Sequence, residues 1–448
     1  MLWFRRDLRL ADHPALLAAV EQARAGDDEV VALFVVDPVL WRGPGAPRRA
    51  YLARSLAALD DQLDGRLVVR RGDPAHVVPA VAHEVGASAV HVTAATEPHG
   101  RRRDDAVALA LGGVPLVRTG SPYAVGPGRV RTRTGGPYQV FGAFRTAWLD
   151  HGWPAPAPPP RSVHWAALAS EGVPAEPADV PITLPAAGEH AAYERWARFR
   201  DTDLPRYAED RDRPDLDATS AMSVPLKYGE IHPRTLLADL VGPSTSVASF
   251  RSELAWREFH ADVLWHHPSA RTQSLRPVAP DDSWASGDDE RARLTAWAAG
   301  RTGYPFVDAG MRQLLATGAM AGRVRMVVAS FLVKDLHVNW QRGAAHFLDL
   351  LLDGDVASNQ LNWQWVAGTG RDAAPYFRVF NPVTQGLRFD PHGDYVRRWV
   401  PELRGIPGAA VHQPWALGPA APTGYPGRLV DHAAERLVAL EAHRRVAG

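Results

Sequence analysis

Cysteine is absent from the 448-residue chain, which excludes disulfides, thiolate zinc sites and cysteine-ligated iron–sulfur clusters. Lysine is nearly absent too: Lys227 and Lys334 are the only two, and arginine carries almost all the positive charge. Fifty basic side chains balance fifty acidic ones, so no global field draws the chain to nucleic acid or to an anionic membrane. Any basic binding face has to be local. The longest apolar run, VVALFVV, is too short to span a bilayer. Met1 leads straight into a strand-like segment with no basic n-region and apolar h-region before it, so a cytoplasmic protein with no membrane partner is the expectation. A Walker motif is missing, since Lys227 is followed by Tyr228 and Lys334 by Asp335. H-E-x-x-H and a G-x-G-x-x-G after a strand are missing as well, and no metal is expected.

Tryptophan is plentiful by contrast, 15 against 5 methionines, with many in the second half. Over the first 120 residues short β-branched runs alternate with helical patterns. The strand candidates are LWF (2–4), VVALFVVD (30–37), RLVVRRGD (66–73), AVHVTA (89–94) and VPLVRTG (114–120). That alternation predicts an α/β domain built on a doubly wound parallel sheet. Ligands on such sheets sit at the carboxyl ends of strands, which makes Asp37, Arg48 and the TEPHGRRRD loop (96–104) candidates. A Pro-rich, weakly periodic stretch follows, clearest in WPAPAPPPR (153–161). From 190 onward helical periodicity takes over in SELAWREFHADVLWHH, YPFVDAGMRQLLATG and RVRMVVASFLVKDLHVNW, with Gly303, Gly318 and Gly343 as expected stops. The predicted division is an α/β domain over 1–125, a connector over 126–189 and a large all-α domain over 190–448.

Several short patterns carry chemistry, each beside a plainer reading. In SNQLNWQW (358–365), Asn359 and Trp363 are i and i+4 and share a helix face, while Trp365 points to another side. Two large aromatics can simply fill a core; here one helix can also border two neighbouring spaces. Thr219, Ser220 and Ser223 precede a helical run, with Tyr207 and Arg211 upstream, a pattern that suits a pyrophosphate as well as an ordinary N-cap. Glu253 and Trp256 at i, i+3, with Arg257 and Glu258 beside them, form either a solvated helix face or a base-reading site. Arg323 and Arg325 with Asp353 and Asp355 are either surface ion pairs or a buried positioning pair.

Taken together, LWFRRDLRLADHPAL (2–16), TSAMSVPLKYGEIHPR, ELAWREF, TGYPFVDAGMRQL, RVRMVVASFLVKDLH and DGDVASNQLNWQWVAGTGRDAAPYFRVFNP resemble, in order and along essentially the whole chain, the photolyase/cryptochrome family. Its cyclobutane pyrimidine dimer DNA photolyases of class I are the branch most alike. The resemblance implies that the helical domain binds FAD. Tyr207, Thr219, Ser220, Met222 and Ser223 would hold the ribityl and phosphate region. Asp353 and Asp355 would lie along the isoalloxazine, with Arg325 paired to Asp353. Asn359 would face the redox-active flavin nitrogen. Trp363, Trp340 and Trp284 would relay electrons to the photoexcited flavin, Trp284 at the solvent end of a segment longer than usual in the family. The implied substrate is UV-damaged DNA, single- or double-stranded, with the dimer flipped into a pocket. Trp256 and Trp365 would stack on it, Glu253 would hydrogen-bond a pyrimidine edge, and Arg211, Arg257 and Arg323 would touch DNA. A monomer is expected.

The resemblance also carries a departure. Members that repair cyclobutane dimers usually have His-Asn before R-x-R-M, where this chain has Ala321-Gly322. Members that repair the (6-4) photoproduct place histidines at the Gly322 and Met326 positions, and no histidine occurs between Gly318 and Lys334. Met326 is kept as a substrate-side residue, and (6-4) repair by that route is not expected. An antenna pigment at the N-terminal domain is implied for many members; EPHGRRRD resembles the 8-hydroxy-5-deazaflavin version of its loop more than the methenyltetrahydrofolate one. Two rival readings stand beside repair. One is a cryptochrome that signals in blue light; the other sets the resemblance aside for an electron-transfer flavoprotein.

Overall fold

The computed structural model describes all residues except 44, 181, 278, 372–377 and 448. The DAAPYF stretch of the last family-like motif therefore lies outside the described residues. The chain divides into two compact units: Met1–Val180 with Leu184–Pro205 and Ser220–Pro268, and Pro181–Thr183 with Arg206–Thr219 and Ser269–Gly448.

In the first unit β1 (Leu2–Phe4), β2 (Ala32–Val36), β3 (Leu67–Arg71), β4 (Val90–Val92) and β5 (Leu116–Arg118) form one parallel sheet in the order β3-β2-β1-β4-β5. The expected α/β architecture is present. Leu2 pairs with Ala32 and Trp3 with Leu33. The apolar runs suit strands buried on both faces. On one face Trp3, Leu33, Val35 and Val68 pack with Val78 and Val81 of the helix Pro74–Glu84 and Val107 of the helix Pro98–Ala110. Alternation sends the buried Leu2, Phe4 and Phe34 to the other face.

Two expectations change here. The 96–104 segment is mostly helix, because Pro98 supplies a preset φ at the first helical position. Only Thr96 and Glu97 remain outside it, and Asp104 is buried beside Arg5 and Arg103. The weakly periodic 126–189 segment contains a helix, Phe141–His151, which buries Phe144 and Trp148. Its glycines and prolines cluster outside that stretch and hid the helical signal. The 22-residue helix Thr245–His266 belongs to the same unit.

The second unit is helical. Gly287–Ala298, Pro305–Thr317, Gly322–Lys334, Trp340–Leu350 and Val356–Ala367 enclose one core that includes Trp297, Phe331, Trp340, Phe347 and Trp363. The run RVRMVVASFLVKDLHVNW does not form one helix. It stops at Lys334, passes through His337 at φ 51° and restarts at Trp340, where Asn339 caps the Gln341 N–H. Gly318 ends the helix Pro305–Thr317 in the left-handed conformation, and Gly303 lies in the turn before that helix. Gly343, expected as a stop, sits inside the helix Trp340–Leu350. A Cβ there would overlap the six-membered ring of Trp363, so the glycine serves close helix approach instead of termination. Among the described residues no single helix is long and apolar enough to cross a membrane.

Candidate functional site

In the second unit the helix Val356–Ala367 begins with Asp355, whose carboxylate accepts from the Ser358 N–H at 3.0 Å. Asn359 and Trp363 follow on one face and are buried, 9% and 2% exposed, while Trp365 is half-buried on another side. The Asn359 Nδ2 donates to Ala344 O at 3.0 Å and to Gln360 Oε1 at 2.8 Å. A carbonyl must face a donor, so the amide cannot be reversed, and Oδ1 is left as an acceptor that no described donor reaches. Gln360 is itself held, donating to Arg271 O at 2.7 Å. Gln364 donates to Ala270 O and accepts from the Leu275 N–H. These two glutamines brace the helix, a role the sequence does not announce because their partners lie about 90 residues away.

Trp363 meets Phe347 edge-on at 5.0 Å and Trp297 at 6.1 Å. Trp340 is fully buried, with its Nε1 donating to Ser274 Oγ at 2.9 Å. Trp284 is half-buried against the same core. Arg325 donates to both oxygens of Asp353, at 2.9 and 3.2 Å, and its Nε donates to Met320 O. That fork fixes the carboxylate geometrically, so Arg325 and Asp353 are a positioned pair and not two solvated charges. Arg323 pairs with Asp212 at 2.6 Å and lies over the Phe389 ring at 4.5 Å. Met326 packs against the core, partly buried. Tyr207 is buried with the Arg211 guanidinium 5.5 Å from its ring centre, and Thr219 is exposed. Gly322 opens the helix Gly322–Lys334, and nothing lies within 4 Å of where its Cβ would stand.

In the first unit Met222 is buried, Ser223 exposed, and the Ser220 hydroxyl accepts from the Met222 N–H at 3.3 Å. Glu253 and Trp256 are both half-buried on the helix Thr245–His266. Trp256 already stacks on Phe141, rings 3.6 Å apart and 8° from parallel. A base could therefore use only the opposite face of the indole. Arg257 donates to Pro122 O and Leu226 O and lies over Tyr123 at 4.3 Å. These contacts tie the Pro122 and Leu226 carbonyls to one side chain. Glu258, which the sequence showed only as a neighbour, is fully buried and accepts from the N–H groups of Ala124 and Val125 and from the Trp148 indole. Burial nevertheless pushes its carboxyl up to about 7. Asp262, one turn on, accepts from the Gly128 N–H at 2.7 Å. Near the carboxyl ends of the strands, Arg101 stacks on Trp265 at 3.9 Å and Arg103 lies 5.0 Å from the Trp3 ring centre.

Two family models match the chain: DNA photolyase over residues 1–161 and the FAD binding domain of DNA photolyase over 250–445. A deoxyribodipyrimidine photo-lyase of Streptomyces griseus is 43% identical, covering 97% of this chain and 96% of that protein. Among solved structures, a bacterial class III photolyase from Agrobacterium tumefaciens is 37% identical with a TM-score of 0.91, covering 100% and 97% of the two chains. A Synechocystis cryptochrome is 27% identical with a TM-score of 0.89, covering 98% of each.

Proposed function

Because the chain belongs to the DNA photolyase family, we propose that it is a light-driven carbon–carbon lyase that splits cyclobutane pyrimidine dimers in UV-damaged DNA. The observation that carries this reading is the Asn359 amide: both donated bonds are committed to the protein, and its acceptor oxygen stays open one helical turn from Trp363. Such an acceptor suits a protonated ring nitrogen of a reduced flavin, and the positioned Arg325–Asp353 pair and the exposed hydroxyls of Thr219 and Ser223 suit its polar parts. The residues present fit FAD. FAD, when bound and reduced, supplies the photoexcited one-electron donor for ring opening.

In this reading Tyr207, Ser220, Met222 and Asp355 complete the cofactor contacts. Trp284, Trp340 and Trp363 pass electrons inward, and the tight packing around Trp363 keeps the last indole in one orientation. Glu253 hydrogen-bonds a pyrimidine edge and Trp256 stacks on the flipped dimer with the face turned from Phe141; Trp365 and Met326 are the lesion-side residues of the second unit. Arg211, Arg257 and Arg323 serve the DNA side, Arg257 with part of its guanidinium already bonded to Pro122 O and Leu226 O. Residues 1–125 act as an antenna-type domain, 126–189 as connector and 190–448 as the FAD-binding catalytic domain of a cytoplasmic monomer. An antenna at the strand carboxyl ends, near Asp37 and Arg48, would be a deazaflavin in preference to a folate. Ala321-Gly322 favours one alternative, a blue-light photoreceptor without repair, because the usual lesion-reaching Asn is missing. Light-dependent loss of dimers from irradiated oligothymidylate, with the flavin chemically reduced, separates the two.

A further inference from the structure

We propose that the loop carrying Arg129, Arg131 and Arg133 is a phosphate-binding arm for the nucleic-acid backbone, a reading that rests on the proposed action on DNA. From Ala106 to Leu149 the chain has five arginines and no Asp, Glu or Lys, although its overall charge is zero. A basic face in a neutral protein has to be a local feature of this kind. Three of the five lie within five residues, and all three are exposed, whereas the intervening Val130 is buried. Alternate side chains therefore turn to solvent. Among the described residues none of the three pairs with a carboxylate, and the one bond made by their guanidinium groups is Arg131 Nε to Gly128 O at 2.7 Å. Other arginines of the chain, such as Arg213 with Asp215 and Arg323 with Asp212, are paired.

The arm is built, not loose. Thr132 N–H donates to Gly136 O at 2.9 Å and Gly136 N–H returns to Thr132 Oγ1 at 3.1 Å, closing a turn that Gly135 permits at φ 82°. At its base the helix Thr245–His266 grips the backbone through Glu258 and Asp262. That helix also carries Glu253 and Trp256, and Phe141, eight residues after Arg133, stacks on Trp256. Three exposed guanidinium groups, none within ion-pair distance of a carboxylate among the described residues though Arg131 also feels Asp262, are thus tied within one unit to the indole expected to meet the lesion. Guanidinium binds phosphate through paired N–H donors, so the ligand class is a phosphodiester backbone flanking the lesion.

The test is the salt dependence of duplex binding by the full chain, on one duplex with a single thymine dimer and on the same duplex without it. Arg131→Ala/Arg133→Ala should lower the log–log slope by about 1.8, or roughly 0.9 for each phosphate no longer neutralised. Arg131→Lys/Arg133→Lys should keep the parent slope, because the charges remain. A double-alanine slope equal to the parent overturns the arm and leaves the repair reading untouched. A parent that binds both duplexes equally, with its slope lowered in the double-alanine variant, keeps the arm and overturns lesion recognition. A parent that binds neither overturns both. Loss of binding to phosphatidylserine vesicles with an unchanged DNA slope would assign the arginines to a lipid surface and overturn the arm.

Discussion

Two donated hydrogen bonds fix the amide plane of Asn359, and four residues later the indole of Trp363 is clamped by Phe347, Trp297 and the bare Cα of Gly343. In the proposed function the amide would tune the flavin and the indole would feed it, two roles that mutation separates. In Trp363→Phe, blue-light bleaching of oxidised FAD should cease, while repair by chemically pre-reduced enzyme persists. Bleaching at the parent rate would remove Trp363 from the relay. Ala321-Gly322 is where the chain departs from the pattern that the resemblance implies for dimer repair. A Cβ at Gly322 would meet nothing within 4 Å, so Gly322→Asn should tighten dimer-DNA binding by somewhat under tenfold, about 1 kcal/mol for one added hydrogen bond. Unchanged affinity in a binding titration would mean that no lesion lies within its reach.

At the scale of elements, the helices Trp340–Leu350 and Val356–Ala367 meet at Gly343. Gly343→Ala should destabilise by about 1–3 kcal/mol through overpacking, less up to about 1 kcal/mol gained in helix propensity. A urea midpoint at or above that of the parent would contradict the close approach. Glu258 clamps the 124–125 backbone to the helix Thr245–His266, and its folded pKa of about 7 lies above its ordinary value of 4.5. The folded state thus keeps this proton longer than the unfolded chain does. The stability it contributes is full below pH 4.5 and is lost as the pH rises through about 7. Relative to Glu258→Gln, the parent should lose stability across that window, and a pH-independent difference would count against it. Strands and helices were legible in the sequence because their apolar periods are local. Asn359 and Trp363 sharing a face was legible for the same reason. The roles of Gly343, Glu258, Asp262 and Arg257 were not, since each depends on a partner far along the chain. Arg257, expected on the DNA side, also donates to Pro122 O and Leu226 O and lies over Tyr123, contacts that no local pattern announces.

For the whole molecule, zero net charge and two compact units leave recognition to local features. The sheet of the first unit and the helical core of the second are ordinary folded scaffolds. Between them they carry an open amide acceptor, buried indoles, a stacked Trp256 and a run of exposed arginines. These features serve a signalling flavoprotein almost as well as a repair enzyme, apart from the lesion-side residues, so binding and photoreduction alone do not choose. The deciding measurement is repair itself. The purified protein, its FAD fully reduced with dithionite, is mixed with UV-irradiated oligothymidylate and held under near-UV light or in the dark. Recovery of thymine absorbance in the light, with none in the dark, is the predicted result. Dimers that stay intact under light while the flavin remains fully reduced would contradict it.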